Sequence, residues 1–416
     1  MSYALENASS EFRRSRPGEI LARISLTFFL IFVTSGLAAQ GNDYLSGNGF
    51  EDGCTLDSDS DRLPDCVETN SLRFIDARHT GTSPINPDSD NDGLSDGDEV
   101  IGTINNLDLP RMGAKALRKT ILVEYDWFDD AAECAAHSHQ PTAAIMQGTA
   151  AAFAASPLVN PDGSLGIDLI QDFGQGGLFD QGELIADGTG TLEDGLNLGS
   201  EFYQYKAAHF AANRQNYFHY AIMAHRYNYG TNNSSGLSEF TGDDMIITLA
   251  CYGTTSNVRN TIMHELGHNL SLQHGGDGSC NYKPNYNSVM NYRYQFTGID
   301  SNCSLSGDGL VGYSVGTRPT LNESDLDENA GICGLQAGVP ADWNQNSQLE
   351  REISADINAN DPNQNIACEG NLSPLTDHND YGNLNIAAIR HALMRSTGHR
   401  EIVDCQPIPE FARQLP

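Results

Sequence analysis

The segment from 263 to 276 constrains the fold more than any other part of the chain. His264 and His268 are four residues apart, and Glu265 follows the first of them. Residues at this spacing lie about 40° apart around an α-helix, so both imidazoles would project from one face. Two such histidines are typical of a zinc site, and the adjacent glutamate is placed to accept a proton from water. We therefore predict a helix that carries two zinc ligands and a general base, Glu265.

His274 is a candidate third ligand, provided that the helix stops before it. It lies six residues after His268, about 120° away if the helix continued. The following Gly275 and Gly276 fit a stop near Ser271. A positive φ there would cost serine about 1 kcal/mol relative to glycine. The alternative is a helix with core histidines, which the carboxylate between them argues against.

The pattern H-E-x-x-H-x-x-S-x-x-H resembles the signature of the metzincin metallopeptidases, which has glycine where this chain has Ser271. The residues from Ser288 to Tyr292 are similar to the Met-turn of that family, and the resemblance covers about residues 117–300. It implies that Met290 lies beneath the zinc and that Tyr292 is a further zinc ligand, which then stabilises the oxyanion. It also implies a zinc endopeptidase with a protein or peptide substrate.

Two acidic loops of one pattern precede this region. A calcium loop of the EF-hand type uses positions 1, 3, 5, 7, 9 and 12 and has glycine at position 6. Gly93 fills position 6 of the second loop, whereas Arg62 stands there in the first. So many carboxylates in one turn are costly without a divalent cation, so we predict Ca²⁺. The predicted ligands are Asp57, Asp59, Asp61, Asp65 and Glu68 in the first loop and Asp88, Asp90, Asp92, Leu94 (by its carbonyl), Asp96 and Glu99 in the second.

The pair of loops resembles thrombospondin type 3 repeats over roughly residues 54–100. That resemblance implies that calcium takes the place of an apolar core in this segment. Long apolar helices do not flank the loops, so a true EF-hand pair is not expected. The alternative is a disordered acidic linker.

The N-terminus has the layout of a secretory signal peptide. Arginines from Arg13 to Arg23 precede an apolar run from Ile24 to about Val33, and small residues follow up to Ala39. The run is shorter than the roughly 20 apolar residues that a membrane-spanning helix needs, which disfavours an anchor. We therefore expect a secreted, extracellular or periplasmic protein with no membrane span in the mature chain.

Cysteine usage agrees with export. The chain has nine cysteines and no C-x-x-C pair, which favours disulfides and leaves at least one thiol free or paired with another chain. His137 and His139 follow Cys134 and could bind a second metal, although a polar loop is the simpler interpretation. Proximity along the chain favours the pairs Cys54 with Cys66, Cys280 with Cys303, and Cys333 with Cys368.

The charge balance excludes one class of partner. The chain has 23 Lys and Arg against 55 Asp and Glu, a net charge of −32, whereas a nucleic-acid binder needs a basic face. The same excess argues against adsorption to anionic lipid.

Strands alternate with helices between residues 117 and 300, which predicts an α/β (α+β) catalytic domain with a mixed sheet. The expected organisation is a signal peptide at 1–39, a calcium segment at 40–105, a peptidase domain at 106–300 and a disulfide-containing subdomain at 301–416. Strands are predicted at 121–127, 166–170, 217–227 and 245–252, and helices at 141–153, 202–214, 257–272 and about 386–394.

The sequence as a whole predicts a secreted zinc endopeptidase with structural calcium. One alternative is a calcium-dependent adhesion or binding protein with an inactive peptidase-like domain, although the intact Glu265 opposes it. Another is a zinc hydrolase that acts on a cell-wall amide. The oligomeric state and the substrate preference stay open at this point.

Overall fold

The computed structural model describes residues 54–130, 133–228, 233–251, 253–358, 368, 371–389, 401–405 and 407. The predicted signal peptide therefore lies outside the described residues. Among these ranges, none of the helices has the length and apolar character needed to cross a membrane.

The described residues form seven α-helices and ten strands, numbered in chain order. The helices are α1 (Asp96–Ile101), α2 (Leu109–Met112), α3 (Ala143–Ala154), α4 (Glu201–His209), α5 (Thr255–Asn269), α6 (Tyr292–Gln295) and α7 (Asp380–Asn383). The strands are β1 (Thr120–Trp127), β2 (Asp129–Asp130), β3 (His137–Ser138), β4 (Asp168–Asp172), β5 (Phe218–Ala224), β6 (Gly236–Glu239), β7 (Asp244–Thr248), β8 (Leu321–Asn322), β9 (Pro374–Leu375) and β10 (Ile402–Asp404).

Six strands form the central sheet in the order β10-β6-β7-β5-β1-β4. The four strands β4, β1, β5 and β7 are parallel, β6 is antiparallel to β7, and β10 is antiparallel to β6. The fold is therefore mixed α/β with a mostly parallel sheet, which confirms the predicted class at that level.

Strands β1 and β5, in the interior of the sheet, are buried along their whole length, as expected when both faces of a parallel sheet are covered. Alternate side chains enter opposite layers. Val123 and Met223 pack in the cluster that contains residues of α3 and α5, whereas Leu122 and Phe218 pack in the cluster beneath α4. This arrangement holds α5, and with it the histidine pair, firmly against one face of the sheet.

Most predicted elements are confirmed with shifted ends. The strand predicted at 121–127 is β1, and the helix predicted at 257–272 is α5, which ends at Asn269. The helix predicted at 202–214 ends at His209, because Phe210 has an extended backbone with ψ 117°. The helix predicted near 386–394 lies largely outside the described residues.

Strands β6 and β10, which lie next to each other at one side of the sheet, were not predicted. The sequence of β6 is Gly-Leu-Ser-Glu, which has no β-branched or aromatic residue. All four residues are nevertheless buried, because β6 pairs with β7 on one side and β10 on the other. Pairing with its two neighbours, and not local propensity, therefore forms β6.

The disulfides correct two of the three predicted pairs. Cys54–Cys66 is confirmed, but Cys280 pairs with Cys368 and Cys303 with Cys333. Proximity along the chain misled the prediction, because Asn285 donates a hydrogen bond to the Leu375 carbonyl and so brings residues near Cys280 beside the later segment. Cys134–Cys251 is a fourth bond, and Cys405 is a buried free thiol.

Candidate metal centre

Helix α5 begins at a capped N-terminus and is anchored at its C-terminal end. The Thr254 hydroxyl accepts the Asn257 N–H, which satisfies one of the first-turn donors. At the other end, the Asn269 side-chain amide donates to the carbonyls of Glu239 (2.9 Å) and Asp244 (3.1 Å). These bonds fix the histidine-bearing turns of α5 against β6 and β7.

The helix stops where the sequence predicts. Ser271 has φ 76°, and the Leu272 N–H reaches back to the Gly267 carbonyl at 2.8 Å. This 6→1 bond is that of a Schellman cap. The Ser271 hydroxyl bonds the Thr241 hydroxyl at 2.8 Å, which holds the strained residue in place. The chain therefore leaves the helix axis before His274.

Three histidine nitrogens converge at one point. The Nε2 atoms of His264 and His268 are 3.2 Å apart, and those of His268 and His274 are 3.1 Å apart. Two nitrogens bound to one tetrahedral zinc at about 2.0–2.1 Å would lie roughly 3.3 Å apart. The spacing of this donor set therefore fits a zinc ion.

Hydrogen bonds set the tautomers of two of these rings. His264 Nδ1 lies 2.7 Å from the Val289 carbonyl, and His268 Nδ1 lies 2.8 Å from the Leu272 carbonyl. A carbonyl only accepts, so each Nδ1 must carry the proton. Burial lowers the pKa of His264 to about 4, so a second proton on its Nε2 is unfavourable. Lone pairs therefore face each other at Nε2, an arrangement that a cation would stabilise.

Glu265 is fully buried beside this cluster. Neither carboxylate oxygen accepts a hydrogen bond of good geometry from the described residues, and the Cys405 thiol lies against the carboxylate. Burial, together with the negative charge of Asp404, raises the pKa of Glu265 well above its ordinary value. β6 comes close here, since a Cβ on Gly236 would lie 2.3 Å from Glu265 Oε1.

Met290 lies directly under the histidine-bearing turn. A Cβ on Gly267 would meet the Met290 sulfur at 2.3 Å, so only glycine allows this packing. Tyr292 lies on the other side of the cluster, with its ring centroid 4.2 Å from that of His274. Its hydroxyl donates to the Asp404 carbonyl at 3.2 Å.

Cys405 completes a four-membered group that the sequence analysis missed. Ligand atoms of His264, His268, His274 and Cys405 all lie within 4.8 Å of one another. Strand β10 delivers the cysteine, and its N–H donates to the Gly236 carbonyl at 3.2 Å. No sequence signal connects this C-terminal residue with the histidine motif.

The two acidic loops share one local geometry. Asp57 accepts backbone N–H groups of Ser60 (2.7 Å) and Arg62 (3.1 Å). Asp88 accepts those of Asn91 (2.7 Å) and Gly93 (2.8 Å) in the same way. These bonds curl each loop so that its side chains point inward, as a cation site needs.

The loops also meet each other. The Gly97 N–H of the second loop donates to Asp61 of the first at 2.9 Å, and carboxylate oxygens of Asp61, Glu68 and Asp96 lie within 4.8 Å of one another. Another such group is formed by Asp57, Asp59 and Asp61. The arrangement could hold cations within and between the loops.

Several of these carboxylates are buried without a donor. Within the described part of the chain, both oxygens of Asp59, Asp90 and Glu99 and one oxygen of Glu68 have no hydrogen-bond partner. Burial and the charge of Asp92 raise the pKa of Asp90 to about 9, and burial and the charge of Asp61 raise the pKa of Glu68 to about 8. Buried carboxylate oxygens that lack hydrogen bonds and lie close to other carboxylates are the kind of ligand that Ca²⁺ binds.

Comparison with protein-family models, with curated proteins and with solved structures finds no match for this chain.

Proposed function

We propose that this protein is a secreted zinc endopeptidase of metzincin type, held inactive by its own C-terminal strand. The observation that carries the proposal is the convergence of three histidine Nε2 atoms beside a buried glutamate. The donor set His264, His268 and His274 suits zinc in type, number and spacing.

Zinc bound there would act as a Lewis acid towards a peptide carbonyl and a water molecule. Glu265 would accept the proton of that water and later deliver it to the leaving amine. Tyr292 would donate its hydroxyl hydrogen to the oxygen that becomes negatively charged. In support, Tyr292 already donates to a backbone carbonyl, that of Asp404.

The C-terminal strand has the position and polarity expected of a bound peptide. β10 lies antiparallel along β6 with Val403 opposite Ser238, and an extended peptide that adds to a sheet edge makes the same bonds. The carbonyl of Asp404 accepts a hydrogen bond from Tyr292, and the Cys405 sulfur lies within 4.8 Å of the three histidine nitrogens, where it would take the fourth position around a zinc ion. Substrate and water would need this strand to leave.

The calcium segment would act as a rigid support for this domain. Leu94 packs in the same cluster as Leu122 of β1, and the Thr120 N–H donates to Asp92 at 2.7 Å. Order in the second acidic loop is thus linked to the first residue of β1.

The test compares the full chain with Cys405→Ala, Glu265→Gln/Cys405→Ala and His268→Ala/Cys405→Ala. Zinc content and cleavage of unfolded casein are measured for each. We expect Cys405→Ala to bind zinc and to cleave faster than the native chain. Adding Glu265→Gln should keep zinc and reduce cleavage by about a hundredfold or more, since an amide cannot act as the base. His268→Ala should lose the zinc of this site.

Two further variants keep the outcome clear. A chain that ends at residue 400 lacks β10 altogether and should be at least as active as Cys405→Ala. Glu183→Gln alters a half-exposed glutamate and serves as the matched control. If neither Cys405→Ala nor the shortened chain cleaves casein while zinc is bound, the peptidase proposal is wrong. That result would favour the alternative of a calcium-dependent adhesion or binding protein. If the native chain, Cys405→Ala and the shortened chain cleave casein equally while Glu265→Gln/Cys405→Ala stays impaired, the inhibitory role of Cys405 is wrong. If Glu265→Gln/Cys405→Ala cleaves as fast as Cys405→Ala, Glu265 is not the base and the peptidase proposal is wrong.

A further inference from the structure

A second group of histidines lies on other elements than the candidate zinc centre. It consists of Asp130 at the end of β2, His137 and His139 on and just after β3, and His225 directly after β5. One ligand atom from each of the four residues lies within 4.8 Å of the other three. The group shares no residue with the cluster on α5.

The four side chains face a common point. The Asp130 Oδ2 atom lies 2.5 Å from His139 Nε2, 3.2 Å from His225 Nδ1 and 3.8 Å from His137 Nε2. These separations bracket the roughly 3.3 Å expected between two atoms bound to one tetrahedral zinc. The three histidine rings lie close together, with centroids 4.6 to 6.0 Å apart in edge-to-face arrangements.

Ring nitrogens of this group are buried without hydrogen bonds, which destabilises the fold unless a cation binds between them. His225 is 1 % exposed, and neither of its ring nitrogens has a hydrogen bond of acceptable geometry to the described residues. His137 Nε2 is also buried without such a partner. A buried polar atom without a hydrogen bond destabilises the fold, and a polar loop open to water would avoid that cost.

Glu133 is the other carboxylate close to this group. One of its oxygens is 3.7 Å from His225 Nε2, but both are occupied by the Arg226 guanidinium, at 3.0 and 2.6 Å. Asp130, in contrast, places its Oδ2 atom within 3.8 Å of a nitrogen of each of the three histidines.

We propose that Asp130, His137, His139 and His225 bind a second Zn²⁺ ion with a structural role. Imidazole and carboxylate ligands suit zinc, and four protein side chains leave no open position for water, as in structural zinc sites. The metal would fasten the β2–β3 hairpin to the end of β5. The Cys134–Cys251 disulfide joins the same hairpin loop to the residues after β7, so the two crosslinks hold one loop at two places.

Zinc stoichiometry of the purified full-length protein tests this site independently of peptidase activity. The native chain should hold two zinc ions and His268→Ala one, because the second site is intact. His137→Ala should also hold one zinc ion tightly, at the histidine cluster on α5. Its zinc affinity at the second site should fall by more than roughly 10- to 100-fold, which is the loss expected when only an outer-shell partner of a ligand is removed. His268→Ala/His137→Ala should hold none tightly. His79→Ala, at an exposed histidine elsewhere, is the control and should hold two.

The ligand set gives a second readout. Co²⁺ bound to His268→Ala should show the intense visible absorption of a tetrahedral site, and His137→Ala in the same background should remove it. His137 is a suitable target because its side chain is 31 % exposed, so its loss should not unfold the protein. Should His268→Ala retain no zinc and bind no Co²⁺, the second site does not exist. Two zinc ions in His137→Ala with native affinity would equally overturn it.

Discussion

Ser271 shows how one residue decides whether the third histidine can reach the metal site. A continued helix would turn His274 away from His264 and His268, so the chain must adopt a left-handed conformation at this position. The Ser271 φ of 76° meets that need at a cost, and the hydrogen bond to Thr241 offsets part of it.

This balance leads to a prediction for two variants. Ser271→Gly removes the strain and the hydrogen bond together, so stability should change by less than about 1 kcal/mol. Ser271→Ala loses the bond and keeps the strain, so it should be about 1 kcal/mol less stable than the glycine variant. Inside a helix the order would be reversed, because alanine is favoured over glycine there.

Urea unfolding of both variants in saturating zinc is the measurement. Ser156→Ala and Ser156→Gly serve as a reference pair just after α3, outside the site. An alanine variant more stable than the glycine variant at 271 would show that the residue is helical in solution and that His274 is misplaced.

Arg62 in the first acidic loop is, like Ser271, a residue other than glycine with a positive φ that side-chain contacts hold in place. It occupies the position that Gly93 has in the second loop, and its φ of 85° is close to the 95° of that glycine. Its guanidinium bonds Asp98 and donates to the Gly102 carbonyl at 2.8 Å. These contacts join the two acidic loops. Arg62 departs from the glycine of the calcium-loop pattern, and its role in joining the loops explains that departure.

At the scale of elements, the acidic loops depend on one another. Asp61 and Glu68 of the first loop approach Asp96 of the second, and their carboxylates are buried together. Like charges at such distances repel strongly unless a cation lies between them. The segment before β1 should therefore be ordered only with its cation bound.

We predict that calcium removal exposes residues 54–100 to proteolysis and lowers the melting temperature. Limited digestion in calcium and in a calcium chelator, with cut sites identified by mass, is the measurement. Asp90→Asn should weaken the calcium effect, whereas Asp162→Asn, at an exposed aspartate in another loop, should not. Identical digestion patterns with and without calcium would contradict the prediction.

At the scale of the whole molecule, disulfides and the C-terminal strand connect segments that are distant in sequence. Cys134–Cys251 spans 117 residues and Cys54–Cys66 spans 12. A crosslink that closes a longer loop removes more conformational entropy from the unfolded chain, about 4–5 kcal/mol against about 3 kcal/mol in the loop-entropy model.

Replacing both cysteines of a pair by alanine should therefore cost more stability for Cys134–Cys251 than for Cys54–Cys66. Thermal unfolding in calcium and zinc compares the two double variants with the native protein. The difference in stability loss between the two double variants should persist when the metals are removed, because the crosslinks act on the conformational entropy of the unfolded chain. A larger loss for the shorter loop would show that local packing outweighs the entropy term.

The sequence by itself determined the features that depend on neighbouring residues. The spacing of His264 and His268 on a helix, the stop at Ser271 and the curled acidic loops all follow from periods and turns that extend over about a dozen residues. The buried strand β1 and the α/β class could also be predicted from neighbouring residues, because a short run of apolar side chains indicates a buried strand.

Only the tertiary structure decided which distant residues join these local units. The arrival of Cys405 beside Glu265, the pairing of β10 with β6, and the meeting of His225 with His137 and His139 depend on strand order in the sheet. Two of the three disulfide pairs were mispredicted for this reason. Local patterns carry no information about such contacts, because their free energy arises from burial and pairing between segments that the folded chain brings together.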